Sequence, residues 1–220
     1  MHLHRAVCLP DRFNPRISWD RPIAAVEGDK NPYGIFTGVG LGLTRWEMVE
    51  LRLTELYVQF AGRVDPMEFG KITAVEKRKA HLAEAATSYF SKCSFYLEHE
   101  HLEADKTATQ KLLADYQLAS LRRNEIAHGH ARNFNIGSRS LGWYLVATPY
   151  NPRTTDQTNP FRLNSYMDES PEKSHSIYAY TAENLQTFAQ LFFDFERQVG
   201  EHLLHLHWSS KNGGRPAAEL

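Results

Sequence analysis

At 220 residues the chain is long enough for one well-buried domain and too short for two comfortable ones. Apolar residues at 42% and charged residues at 23% are ordinary for a soluble globular protein, and no apolar run approaches the ~20 residues of a membrane span. A formal net charge of −1 supplies no global attraction to nucleic acid, so any basic site is local, while eleven histidines keep metal binding and acid–base chemistry open. Cys8 and Cys93 stand far apart, outside any CxxC pattern and with no signal peptide before them, which reads as two free thiols in a reducing cytoplasm.

Residues 1–40 carry Pro10, Pro15, Pro22 and Pro32 with scattered aromatics and no sustained period, which predicts an extended N-terminal arm laid on the body. Gly38-Val39-Gly40-Leu41-Gly42 lacks the Lys-Ser/Thr of a P-loop and the βαβ setting of a dinucleotide site, so it reads as a flexible approach to a helix. Thr44-x-x-Glu47 is a capping box, and Trp46, Val49, Leu53, Leu56 and Phe60 follow at helical steps as far as Gly62. Asp65-Pro66-x-Glu68 is a second start signal. A long uninterrupted pattern then runs from Ile72 to Glu98.

A third helix starts at Asp105 or Thr107, and its Leu112, Leu113, Tyr116 and Ala119 lead towards Gly129 as the C′ residue. The period changes after it. Leu141 to Thr148 is aromatic and β-branched, and Ser176 to Tyr180 alternates, so both read as strands, joined by a Pro- and Asn-rich loop from Pro149 to Pro171. A fourth helix begins near Thr181 and carries Leu185, Phe188, Leu191, Phe192, Phe195, Val199 and Leu203 as a core stripe. The expected architecture is all-α: an antiparallel four-helix bundle over residues 41–208, with a β-hairpin insertion (130–180) between the third and fourth core helices and a flexible tail at 209–220.

The most informative stretch is the end of the third helix, Arg122-Arg123-Asn124-Glu125-Ile126-Ala127-His128-Gly129. Asn124 and His128 are four apart and share a helix face, while Arg123 lies ~140° round from His128 and reaches it by wrapping or across a two-fold contact. The helix dipole at that end favours an imidazolium. An acid–base imidazole beside a permanent guanidinium suits chemistry at a phosphodiester.

The string Arg123-Asn124-x-x-Ala127-His128-Gly129 at a helix end resembles the signature of HEPN domains, Arg-x(4–6)-His with a polar residue straight after the Arg. These are helical-bundle nucleotide- or RNA-binding proteins that include metal-independent ribonuclease toxins. The resemblance implies a homodimer whose signature residues line one cleft, with RNA as substrate, no cofactor and no metal. In that reading His128 is general base or acid, Arg123 holds the scissile phosphate and Asn124 orients one of them. Arg122, His130 and Arg132 are expected as further phosphate contacts, and a toxin or phage-defence role with an antitoxin partner is implied. Glu125, three residues before His128, either tunes or shields the site.

Two other readings stand beside it. A HEPN-like dimer can bind RNA or nucleotide without cleaving. A metal-binding bundle would draw on His202-x-x-His205 with Glu201, or on Glu98-His99-Glu100-His101, at helical ligand spacing. Glu76-Lys77-Arg78-Lys79 reads as a solvated face, and Tyr89, Phe90, Phe95 and Tyr96 read as core.

Overall fold

The computed structural model describes residues 17–22, 25–62, 65–93, 99–136, 138–147 and 178–211. These are mostly helical, with a small three-stranded sheet. In chain order come α1 (Tyr33–Ala61), α2 (Pro66–Gly70), α3 (Val75–Lys92), α4 (His99–His128), β1 (His130–Ile136), β2 (Arg139–Val146), β3 (Ala179–Tyr180) and α5 (Ala182–Lys211).

α1 is the hub. Its buried stripe of Ile35, Trp46, Val49, Leu53, Leu56 and Phe60 packs chiefly on α5, which contributes Leu185, Phe188, Phe192, Phe195 and Val199. Trp46 stacks on Tyr116 of α4 at 5.7 Å between ring centres and meets Phe192 edge-on at 5.5 Å. That one indole therefore ties three helices together.

The helix starts at Tyr33, well before the expected Thr44, so part of the foreseen arm is helical. Asn31 Oδ1 accepts from the Tyr33 N–H at 3.1 Å, and Thr44, far from capping anything, donates to the Gly40 carbonyl inside the helix. The glycines explain the difference. A Cβ on Gly34 would stand 2.9 Å from Ala182 Cβ, and one on Gly38 2.7 Å from Leu185 Cβ. Four residues apart, they bare one helix face so that α5 can lie against it. Each Gly costs a helix ~1 kcal/mol in propensity, which close tertiary packing offsets. The glycine run is therefore part of a helix, with Gly38 on the face that meets α5 and Gly40 on the open side, and it is not a flexible approach.

α2 has the foreseen cap, with Asp65 Oδ1 accepting from the Met67 N–H at 2.9 Å. Tyr57 stacks on Phe69 at 4.5 Å, so this short helix folds back along α1 and delivers the start of α3 beside Glu50. Consequently α3 runs parallel to α1, from Arg78 at Glu50 to Phe90 at Phe60. α5 also runs parallel to α1, from Ala182 at Gly34 to Glu196 at Arg52. Only α4 is opposed: its Gln117 meets Lys79, and its Thr109 and Asp105 meet His202 and His205. The expectation of an all-antiparallel bundle is thus corrected, and the return through α2 is the physical reason.

The described parts of the two foreseen strands are β2 and β3, which pair antiparallel with Leu145 opposite Tyr180. The sequence pattern missed β1, which pairs along β2 with a register shift between Phe134 and Asn135. Its exposed Arg132, Asn133 and Asn135 gave it the composition of a loop, as suits an edge strand with one wet face. Gly28 and Asp29 lie on β2 as well, with Asp29 and Trp143 exchanging backbone hydrogen bonds at 2.8 and 2.9 Å. The Pro149–Pro171 loop lies outside the described residues. α5 opens on a reciprocal cap between Thr181 and Asn184 and continues to Lys211 with Ser209 fully buried, so the foreseen flexible tail does not begin at Ser209.

Candidate functional site

α4 ends at His128, where Gly129 follows as expected but for another reason. Among the described residues only Gly62 and Gly142 have positive φ. At Gly129 a Cβ would lie 2.8 Å from Leu145 Cγ and 2.9 Å from the Glu125 carbonyl, so the helix end is pressed against β2. The chain then enters β1 at once.

The last turns of α4 send neighbouring side chains to different places. Arg122 and Glu125, three apart, turn inward. Glu125 is 5% exposed; its Oε1 accepts from Arg21 Nη2 at 2.6 Å and its Oε2 from Arg122 Nη1 at 2.8 Å and from the Tyr180 hydroxyl. Arg122 also reaches Tyr180 at 3.4 Å. Burial, then the Glu125 carboxylate, push the Tyr180 hydroxyl far above its usual range, so it remains a donor. Arg122, foreseen as a phosphate contact, is thus spent on an internal ion cluster with Glu125, which takes Arg122 and Arg21 as its ion-pair partners.

Arg123 and Asn124 turn the other way, into an open cleft of about 580 Å³ between α1, the start of α3 and α4. Arg123 Nη1 donates to Asn124 Oδ1 at 3.1 Å, and Arg123 Nε is buried with no hydrogen-bond partner among the described residues. The far wall holds Glu50 and Arg78, joined by a short ion pair, with the Tyr116 hydroxyl donating to Glu50 Oε1 at 3.1 Å. Burial raises the Glu50 carboxyl, and Arg78 works against that. Arg78 is held further by the carbonyls of Ile72 and Gly70, so the foreseen solvated Glu76–Lys79 face turns one side into the cleft.

His128 stands one helical turn beyond Asn124, exposed at the end of α4 and outside the lining of that cleft. Asn124 and His128 share a helix face, as their spacing predicts. His130 and Arg132 follow on β1, both exposed and two apart on one strand face. Burial, and then the Arg132 guanidinium, lower the His130 imidazole below its ordinary range. The structure therefore brings Arg123 and Asn124 together, leaves His128, His130 and Arg132 along the adjoining surface, and diverts Arg122.

No family model, curated protein or solved structure matches this chain. The site rests on its own geometry.

Sequence reasoning missed Glu50 and Arg78 as cleft walls. Glu50 lies three residues after Glu47 on α1, a spacing that would have flagged two carboxylates on adjoining helix positions. The histidines of the metal reading are engaged elsewhere: His202 Nε2 lies 2.8 Å from Thr109 Oγ1, and His205 Nε2 lies 3.1 Å from Asp105 and 3.2 Å from Ser209 Oγ. Among the described residues no three His, Cys, Asp or Glu side chains converge to hold a metal, and no helix is long and apolar enough to cross a membrane. Glu98 and the His99 and Glu100 side chains lie outside the described residues.

Proposed function

We propose that the chain is a HEPN-type endoribonuclease acting as a homodimer in the cytoplasm, on a four-helix bundle of α1, α3, α4 and α5 whose third helix carries the signature. The observation that carries this reading is the surface position of the signature: Arg123 and Asn124 open into a cleft, and His128 follows one turn on, exposed at the same helix end. None of the three is sealed in the core.

In this reading Arg123 holds the scissile phosphate and stabilises charge growing on its oxygens, with Asn124 fixing the guanidinium through the bond already present. An imidazole removes the ribose 2′-hydroxyl proton, the 2′-oxygen attacks phosphorus, and the 5′-oxygen leaves protonated. The products are a 2′,3′-cyclic phosphate and a 5′-hydroxyl. The 2′-hydroxyl is a built-in nucleophile, so the step calls on no metal, and DNA resists cleavage. General acid–base help of this kind is worth ~10²–10⁴ in rate. His130 and Arg132, on the strand that leaves the helix end, extend the track for the RNA backbone. A toxin or phage-defence role with an antitoxin partner belongs to the same proposal.

One observation favours a second reading, RNA binding without cleavage: His128 lies outside the cleft that Arg123 lines. Incubation of wild type and His128→Ala with total RNA in EDTA separates the two. Cleavage by wild type and none by the variant is the expected result. No cleavage by either protein, with RNA still bound in a gel-shift, sinks the enzyme and leaves the binding module.

A further inference from the structure

The cleft beside Arg123 is ill suited to a phosphate alone. Three carboxylates, Glu47, Glu50 and Glu76, face two guanidiniums, Arg78 and Arg123. Arg78 is committed to Glu50 and to two backbone carbonyls. Glu50 is committed to Arg78 and Tyr116. Glu47 and Glu76 are exposed and make no hydrogen bond or ion pair among the described residues, and Arg123 keeps a buried Nε without a partner. What the cleft offers a ligand is therefore the Arg123–Asn124 pair on the α4 side and, beside the Thr73 hydroxyl, the open carboxylates of Glu47 and Glu76 on the other. A ligand that complements it carries an anion at one end and adjacent hydrogen-bond donors at the other.

We propose that this cleft is a base-recognition subsite that favours guanine, next to the phosphate that Arg123 holds. The inference rests on the ribonuclease reading for the phosphate and on the cleft itself for the base. A carboxylate only accepts hydrogen bonds. Guanine presents N1–H and N2–H side by side on its Watson–Crick edge, so a single carboxylate takes both in parallel. Adenine and cytosine each set an amino donor beside an acceptor nitrogen, which a carboxylate repels. Uracil sets its one N–H between two carbonyl oxygens. The volume of about 580 Å³ suits one nucleotide.

Of the two open carboxylates, Glu47 is the reader. It lies mid-way along α1, where the backbone is fixed by the packing of Trp46 and Val49 on either side of it in the helix. Its charge is also felt at the Glu50 carboxylate, a like-charge repulsion that donors from a base would relieve. Glu76 sits in the first turn of α3, where it serves the helix dipole. The base is held by hydrogen bonds rather than by stacking, because Trp46 is 2% exposed and presents no free face.

The test uses His128→Ala, which keeps the cleft and removes the imidazole, titrated by calorimetry with guanosine, adenosine, cytidine and uridine 3′-monophosphates. Guanosine monophosphate is expected to bind tightest, by about ten-fold or more, as for other bidentate base contacts. Adding Glu47→Gln is expected to abolish that preference without lowering the melting temperature, since the side chain is exposed, makes no ion pair among the described residues and repels Glu50. Equal affinities, no binding, or a preference that survives Glu47→Gln overturns the proposal. Mapping wild-type cleavage sites keeps the two readings apart. Cutting without enrichment at guanine sinks the subsite and leaves the ribonuclease. Guanine-selective binding with no cutting sinks the ribonuclease and leaves the subsite.

Discussion

Glu125 and its three partners test the interior of the molecule at the residue scale. Two arginines, a carboxylate and a tyrosine hydroxyl are withdrawn from water together, and the cluster ties the segment before α1 to α4 and β3. Such a cluster is weak evidence for net stability, because desolvation consumes most of the attraction. Breaking it is another matter, since the remaining charges stay buried. Glu125→Ala should therefore cost ~3–5 kcal/mol by urea denaturation. Tyr180→Phe removes only one donor and should cost ~0.5–1.5 kcal/mol. Equal losses for the two would mean that the carboxylate is not the centre of the cluster.

His130 provides a second residue-scale measurement. Its imidazole titrates below the ordinary value of 6.5, through burial first and the Arg132 charge second. Because the folded value is depressed, the folded chain binds fewer protons there. Its contribution to stability is accordingly lost as pH falls from the ordinary value through the folded one. Arg132→Ala removes one of the two causes, so the His130 ring should titrate higher in an NMR pH series. A titration left unmoved would leave burial as the whole cause.

At the scale of elements, the glycines of α1 separate propensity from packing within one helix. Gly40 has open space around its would-be Cβ, whereas Gly38 would strike Leu185. Gly40→Ala should raise stability by ~0.5–1 kcal/mol through the unfolded chain's lost freedom. Gly38→Ala gains the same propensity but forces α5 away, and overpacking of that kind costs ~1–3 kcal/mol, so the net sign should be negative. Shifts of the denaturation midpoint in the same direction for both would refute the close α1–α5 approach. These glycines also mark where sequence reading fails. Apolar periodicity located the cores of α1, α4 and α5, and Asp65-Pro66 located α2 within its own turn, whereas on α3 it found Phe90 but passed over the buried Leu82 and Ala86. A glycine run reads locally as a breaker, and only the facing Ala182 and Leu185 turn it into a contact surface. β1 fails for another reason: its apolar Ala131, Phe134 and Ile136 are out of period two, and the register shift between Phe134 and Asn135 that accommodates them cannot be seen locally.

At the scale of the whole molecule, the order Arg123-Asn124-x-x-x-His128 was legible, but not how a helix divides it. Spacing put Asn124 and His128 one turn apart on a helix, and α4 carries both, with Asn124 lining the cleft and His128 beyond it. It could not show that Arg122 would be claimed by Glu125, or that Glu50 and Arg78 would wall the cleft, because those partners come from distant parts of the chain. The same division sets the question that the ribonuclease reading has to answer. Within one chain Arg123 enters the cleft while His128 faces out beside it. A two-fold pairing of α4 ends would set one copy's imidazole against the other's guanidinium. Arg123→Ala and His128→Ala should then each be inactive alone. Mixed after unfolding and refolding together, they should recover activity, because one of the two composite sites in a mixed dimer has both groups intact. With a site built within one chain, every site in the mixture lacks one group and activity stays absent. Sedimentation of the mixture checks that pairs form at all, and a monomeric protein that still cleaves RNA would eliminate the shared site.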